Sequence, residues 1–119
     1  MPLYPSQSHW LDCYRRAYKD FKPKLANIRL RVDDLSYQVK SNNQNRSYRY
    51  EPLREILGNH KMSLTKALNY FEGLSNNAND EIKSTIEYKE CLKFIEGIEI
   101  YLERVALLSR AVSKKLEEM

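Results

Sequence analysis

Residues 11–39, LDCYRRAYKDFKPKLANIRLRVDDLSYQV, decide the fold class. Apolar side chains fall at Leu11, Tyr14, Tyr18, Phe21, Leu25, Ile28, Val32, Leu35 and Val39, with steps of three and four throughout. That spacing keeps them on one side of a helix, whereas a strand would need an apolar residue at every second position. The stretch therefore reads as the seam of a long, coiled-coil-like helix. Pro23 lies within it, without an amide hydrogen and in steric conflict with the carbonyl four residues earlier. Phe21, Leu25 and Ile28 hold the same phase across the proline, so the expectation is one helix kinked at Pro23. Ser8 is placed to cap its first turn and Asp12 to complement the helix dipole, which puts helix 1 at about 8–41.

Moving outward, residues 41–51, SNNQNRSYRYE, hold no aliphatic side chain and read as the main loop. Pro52 suits the first turn of a helix, where a missing amide costs nothing. The seam then resumes at Leu53, Leu57, His60, Leu64, Ala67, Phe71 and Leu74, giving helix 2 at about 52–75. Gly58 and Asn59 are poor helix formers and Ser63 can cap a fresh start, so a break is expected near Gly58. After the polar residues 75–79, SNNAN, Asn79 or Asp80 caps helix 3 at about 80–118. Its seam runs through Tyr88, Cys91, Ile95, Ile98, Leu102, Val105, Ser109, Val112, Leu116 and Met119, widened by Leu92, Phe94, Tyr101 and Leu108.

Three helices with short polar connections predict an all-α, antiparallel three-helix bundle, a single domain over 1–119 with a long C-terminal helix. At 1.5 Å per residue the helices would be roughly 50, 35 and 60 Å long. On these lengths the middle helix falls short of its neighbours. The end of helix 3, with Leu108, Val112 and Leu116, is then expected to project and to meet a partner helix.

Composition removes several function classes. The longest uninterrupted apolar run is four residues, Val105 to Leu108, far below the ~20 needed to span a bilayer. The three glycines, at 58, 73 and 97, are isolated, so no phosphate-cradling loop is present. Cys13 and Cys91, with His9 and His60, lack the spacing of a metal site, and neither a metal nor a cofactor is expected. The start, MPLYPSQSHWLDC, lacks the basic and apolar regions of a secretory signal, which makes a cytoplasmic protein the expectation.

The charge is uneven. The first fifty residues carry ten Lys/Arg against four Asp, and the remainder ten against twelve Asp/Glu. Arg15, Arg16, Lys19, Lys22, Lys24, Arg29 and Arg31 make helix 1 basic, and Glu87, Glu90, Glu96, Glu99 and Glu103 of helix 3 can neutralise it within the fold. In the loop RSYRY, Arg46, Tyr48, Arg49 and Tyr50 interleave cations with aromatics. Both residue types dominate protein contacts, and together with basic helix 1 they also suit stacked bases and phosphates of RNA or DNA.

His60 admits two readings. On the seam of helix 2 it is a half-buried, hydrogen-bonded histidine. With Arg54 it also forms an R-x5-H pair, which resembles the R-x4–6-H signature of the HEPN ribonucleases, themselves small all-helical domains. The resemblance implies metal-independent RNA cleavage at a dimer interface, with Arg54 and His60 in the catalytic roles. In shape alone the expected bundle looks like the amino-terminal three-helix domains of syntaxins or a spectrin-type repeat. The leading functional expectation is a non-catalytic protein–protein interaction module, an adaptor or assembly subunit that binds a partner helix or self-associates as a homodimer.

Overall fold

The computed structural model describes residues 7–41 and 47–118. In chain order they form α1 (Gln7–Ser41), α2 (Ser47–Asn76), the single turn α3 (Asp80–Lys83) and α4 (Ile86–Glu117). The three long helices run up, down and up in an all-α bundle. Trp10 near the start of α1 meets Leu74 near the end of α2, while Arg15 and Asp33 of α1 pair with Glu87 and Arg104 of α4 in parallel order. The assembly measures 56 × 24 × 18 Å, the proportions of a bundle about one helix long.

The seams account for the core. Leu53, Leu57, Leu64, Ala67, Phe71 and Leu74 of α2 are all buried, and His60 alone of that seam is half-buried. On α4 the buried line is Cys91, Ile95, Ile98, Tyr101, Val105, Leu108 and Val112, so Tyr101 and Leu108 take the places expected of Leu102 and Ser109. Trp10, not Leu11, opens the buried line of α1 and is fully enclosed. Its indole N–H donates to the Leu74 carbonyl at 2.8 Å, satisfying one of the acceptors that the end of α2 leaves without a helical partner. Around it Tyr14 stacks on Trp10 at 5.5 Å, and Phe71 meets Tyr14, Phe21 and Phe94 edge-on at 6.2, 5.7 and 4.8 Å.

Several boundaries differ from expectation, each for a physical reason. The first helix runs unbroken through Pro23 and begins at Gln7, so Ser8 sits inside the first turn and Asp12 beyond it. The second begins at Ser47, which turns residues 47–51 from loop into helix and leaves Pro52 inside it at the cost of one backbone bond. It does not break at Gly58. The buried Leu53 and Leu57 before the glycine and Leu64 and Ala67 after it share one core, and their burial outweighs the ~1 kcal/mol of a helical glycine.

The third helix is divided at Ser84 and Thr85. The hydroxyls of Ser84 and Thr85 donate to the carbonyls of Glu81 and Ile82 at 2.7 and 2.6 Å, and Thr85 Oγ1 accepts the Tyr88 amide at 3.1 Å to cap α4. Asn79 caps α3 by accepting the Ile82 amide at 2.9 Å, as its position in the sequence predicts.

These boundaries remove the length mismatch. With 35, 30 and 32 residues the long helices measure about 52, 45 and 48 Å. Leu108 and Val112, expected on a projecting end, are buried, and Leu116 packs half-buried against the same core. The bundle is nonetheless uneven across its width: α2 and α4 pack closely along their length, and α1 touches α2 least of the three long-helix pairs.

Candidate functional site

The loose contact between α1 and α2 has a definite place. Trp10, Tyr14 and Ala17 are buried at one end of the α1 seam, and Val32, Leu35 and Val39 at the other. Between them Tyr18, Phe21, Leu25 and Ile28 continue the same spacing but are only half-buried. Pro23, which cannot donate to the Lys19 carbonyl, sits in the middle of this half-buried segment.

Beside this segment lies a cavity of about 450 Å³. Phe21, Leu25 and Ile28 form its α1 wall, Leu64 and Ala67 its α2 wall, and Phe94 and Ile98 of α4 its floor. Lys24 and Asn27 stand along one side, and His60, Ser63 and Lys66 along the other. Two apolar walls over an apolar floor, with a few polar groups at the margins, is the composition of a binding groove, and the volume falls within the ~300–1,000 Å³ of such sites.

His60 belongs to this groove. Its Nε2 is buried and has no hydrogen-bond partner among the described residues. Burial first, and then the positive charge of Arg31, hold its pKa below the usual histidine value, so the ring facing the groove is a neutral imidazole at pH 7. The expected hydrogen bond of a satisfied core histidine is thus missing. Arg54 is exposed, with its guanidinium 4.0 Å from Glu51, and no hydrogen bond or ion pair joins it to His60 among the described residues.

The remaining sequence candidates are distributed elsewhere. Arg46 lies outside the described residues, and Tyr48, Arg49 and Tyr50 belong to the first turns of α2 rather than to a loop. Part of the basic charge of α1 is neutralised inside the fold. Arg15 pairs with Glu87 at 2.9 Å, and that hydrogen bond holds the Glu87 carboxyl below its usual pKa. Arg104 of α4 pairs in the opposite sense with Asp33 at 3.4 Å, and the guanidiniums of Arg29 and Arg104 lie 5.1 and 4.8 Å from the centre of the Tyr101 ring. A second depression of about 490 Å³ follows this α1–α4 seam between Val39 and Leu107, and both partners of the Asp33–Arg104 bridge line it.

Cys91 is a core residue: burial pushes its thiol up to about 11, and its Sγ lies 3.7 Å from the Phe71 carbonyl. Cys13 is different, because His9 Nε2 stands 3.8 Å from its sulfur on the same face of α1. The i, i+4 spacing of His9 and Cys13 carried that pairing and the sequence reading passed over it. The contributions of Lys24, Lys66 and Phe94 to one groove had no comparable signal, since each comes from a different helix.

Among the described residues, no group of three His, Cys, Asp or Glu side chains is placed to hold a metal ion, and no helix is long and apolar enough to cross a membrane. Comparison of the chain with protein-family models, with curated proteins and with solved structures finds no match in any of the three.

Proposed function

We propose that this chain is a non-catalytic protein–protein interaction module that receives a partner helix in the groove between α1 and α2. The observation that carries the reading is the segment Tyr18 to Ile28, where a continuous helical seam packs against the core but stays only half-buried, beside a cavity that Leu64, Ala67, Phe94 and Ile98 also line. Both walls repeat at helical spacing: Phe21, Leu25 and Ile28 on α1 answer His60, Leu64 and Ala67 on α2. A helix laid between them would complete a four-helix arrangement with anchors at i, i+3 or i+4, and i+7.

The test is selection of helical peptides from a displayed library on the full chain, followed by counter-selection on Ala67→Leu, in which the α2 wall grows into the groove. Enriched peptides with apolar anchors at helical spacing that lose affinity for Ala67→Leu support the proposal. Binders indifferent to Ala67→Leu, or no binders at all, refute it.

A further inference from the structure

Resting on the groove as a helix-docking site, the charges around it specify the partner: we infer that the α1–α2 groove receives an acidic amphipathic helix of another protein, apolar on one side and carrying carboxylates on both flanks. One cation stands on each side of the groove, Lys24 from α1 and Lys66 from α2, and none of the residues lining it is an acid. Arg31 adds positive potential at His60. Lys24 also pairs with Asp20 one turn earlier on α1, 3.4 Å away, both side chains being exposed, whereas Lys66 pairs with no acid among the described residues.

A helix lying between α1 and α2 passes one flank along each wall. Carboxylates on both flanks would therefore meet Lys24 and Lys66 as the e and g positions of a coiled coil meet their partners, whereas lysines there would face like charge. Each wall spans eight residues, Phe21 to Ile28 and His60 to Ala67, a rise of about 10 Å, so the contact is two helical turns long. A second copy of this chain fits less well. The exposed large apolar side chains of its α4, Ile86, Leu92, Ile100 and Leu107, are six to eight residues apart, so two turns would present one or two anchors instead of three.

The experiment uses the full chain and three fluorescein-labelled 18-residue helical peptides with leucines at alternating three- and four-residue spacing and Glu, Gln or Lys on both flanks. Binding is followed by fluorescence anisotropy in 50 and 300 mM salt. The expected result is at least tenfold tighter binding of the Glu peptide than of the Lys peptide at low salt, a ratio that shrinks at 300 mM. The double variant Lys24→Glu, Lys66→Glu, altered at two exposed positions, is expected to reverse the order while its helical circular dichroism is unchanged. Equal binding of the three peptides would overturn the acidic partner and leave the groove as a helix site. Failure of all three to bind would overturn both, as would decanoate binding in the groove without any peptide binding. A dimer of the chain alone that is lost in the double variant would assign the groove to a second copy and overturn the proposal.

Discussion

Replacing Ala67 by leucine tests the groove through the sign of a stability change. Ala67 is buried, 5% exposed, and lines the cavity of about 450 Å³. The substitution adds three carbons. At about 0.8 kcal/mol per buried CH₂ the transfer gain is at most about 2.4 kcal/mol. Fixing the leucine rotamer returns about 0.5–1 kcal/mol of that, which leaves a net gain of about 1.5 kcal/mol. For a chain of 119 residues each kcal/mol moves the melting temperature by roughly 4 °C, so Tm is expected to rise by about 6 °C. Ala17, buried on α1 but outside the cavity lining, supplies the control. There the same substitution overpacks a filled core and is expected to cost about 1–3 kcal/mol. Thermal and urea unfolding of the two variants beside the parent decide the matter. If Ala67→Leu loses stability as Ala17→Leu does, the space beneath α1 is not available and the groove reading is wrong.

Three further outcomes follow from the packing. Trp10→Phe removes the indole donor from the Leu74 carbonyl and trims a fully enclosed side chain, and is expected to cost about 2–4 kcal/mol in urea unfolding; a cost under 1 kcal/mol would show that this bond does not hold α1 to the end of α2. Gly58→Ala is expected to stabilise by about 0.5–1 kcal/mol, since an added Cβ at this exposed helical position meets nothing within 4 Å, and a loss of stability would place a break in α2 after all. For His60, whose folded pKa lies below the unfolded 6.5, the neutral form is favoured by folding, so stability is complete above that value and falls as the pH drops through it toward the folded pKa. Unfolding midpoints between pH 7.5 and 5.5 should decline in the parent and stay flatter in His60→Gln, and equal slopes would contradict the assignment. Glu87 titrates in a separate window below its unfolded 4.5, where its depressed pKa makes stability fall with further acidification.

The fold was legible where one physical rule dominates. Apolar spacing alone placed α1, the buried face of α2 and most of that of α4, because burying a seam is worth more than any local preference along it. Gly58 and Asn59 illustrate the order of magnitudes: their unfavourable propensities predict a break, yet α2 continues through them because Leu57 and Leu64 are enclosed on either side. Where no seam constrains the chain, small local effects decide and the sequence reading is weaker. The start of α2 at Ser47 and the division at Ser84 and Thr85 turn on a few backbone and hydroxyl hydrogen bonds, each worth only about 1 kcal/mol.

The groove was illegible for a different reason. Phe21, Leu25 and Ile28 have the same spacing and apolar character as Val32, Leu35 and Val39, and what distinguishes the two groups is how fully the neighbouring helices cover them, the first being half-buried and the second buried. That coverage depends on pairs of helices together, so a pattern within one helix cannot encode it. The sequence did contain Pro23, read as a kink, and it did contain the idea of an incompletely covered seam. The pattern places the uncovered part at the end of the third helix, because a second helix that begins at Pro52 is the shortest of the three. With α2 starting at Ser47 the three long helices are of similar length, Leu108 and Val112 are buried, and the half-buried stretch of seam is found in the middle of the bundle, beside the proline. A partner helix placed there would bury side chains that are half-exposed now, which is why the groove, and not the C-terminal end, is the surface on which the interaction should be sought.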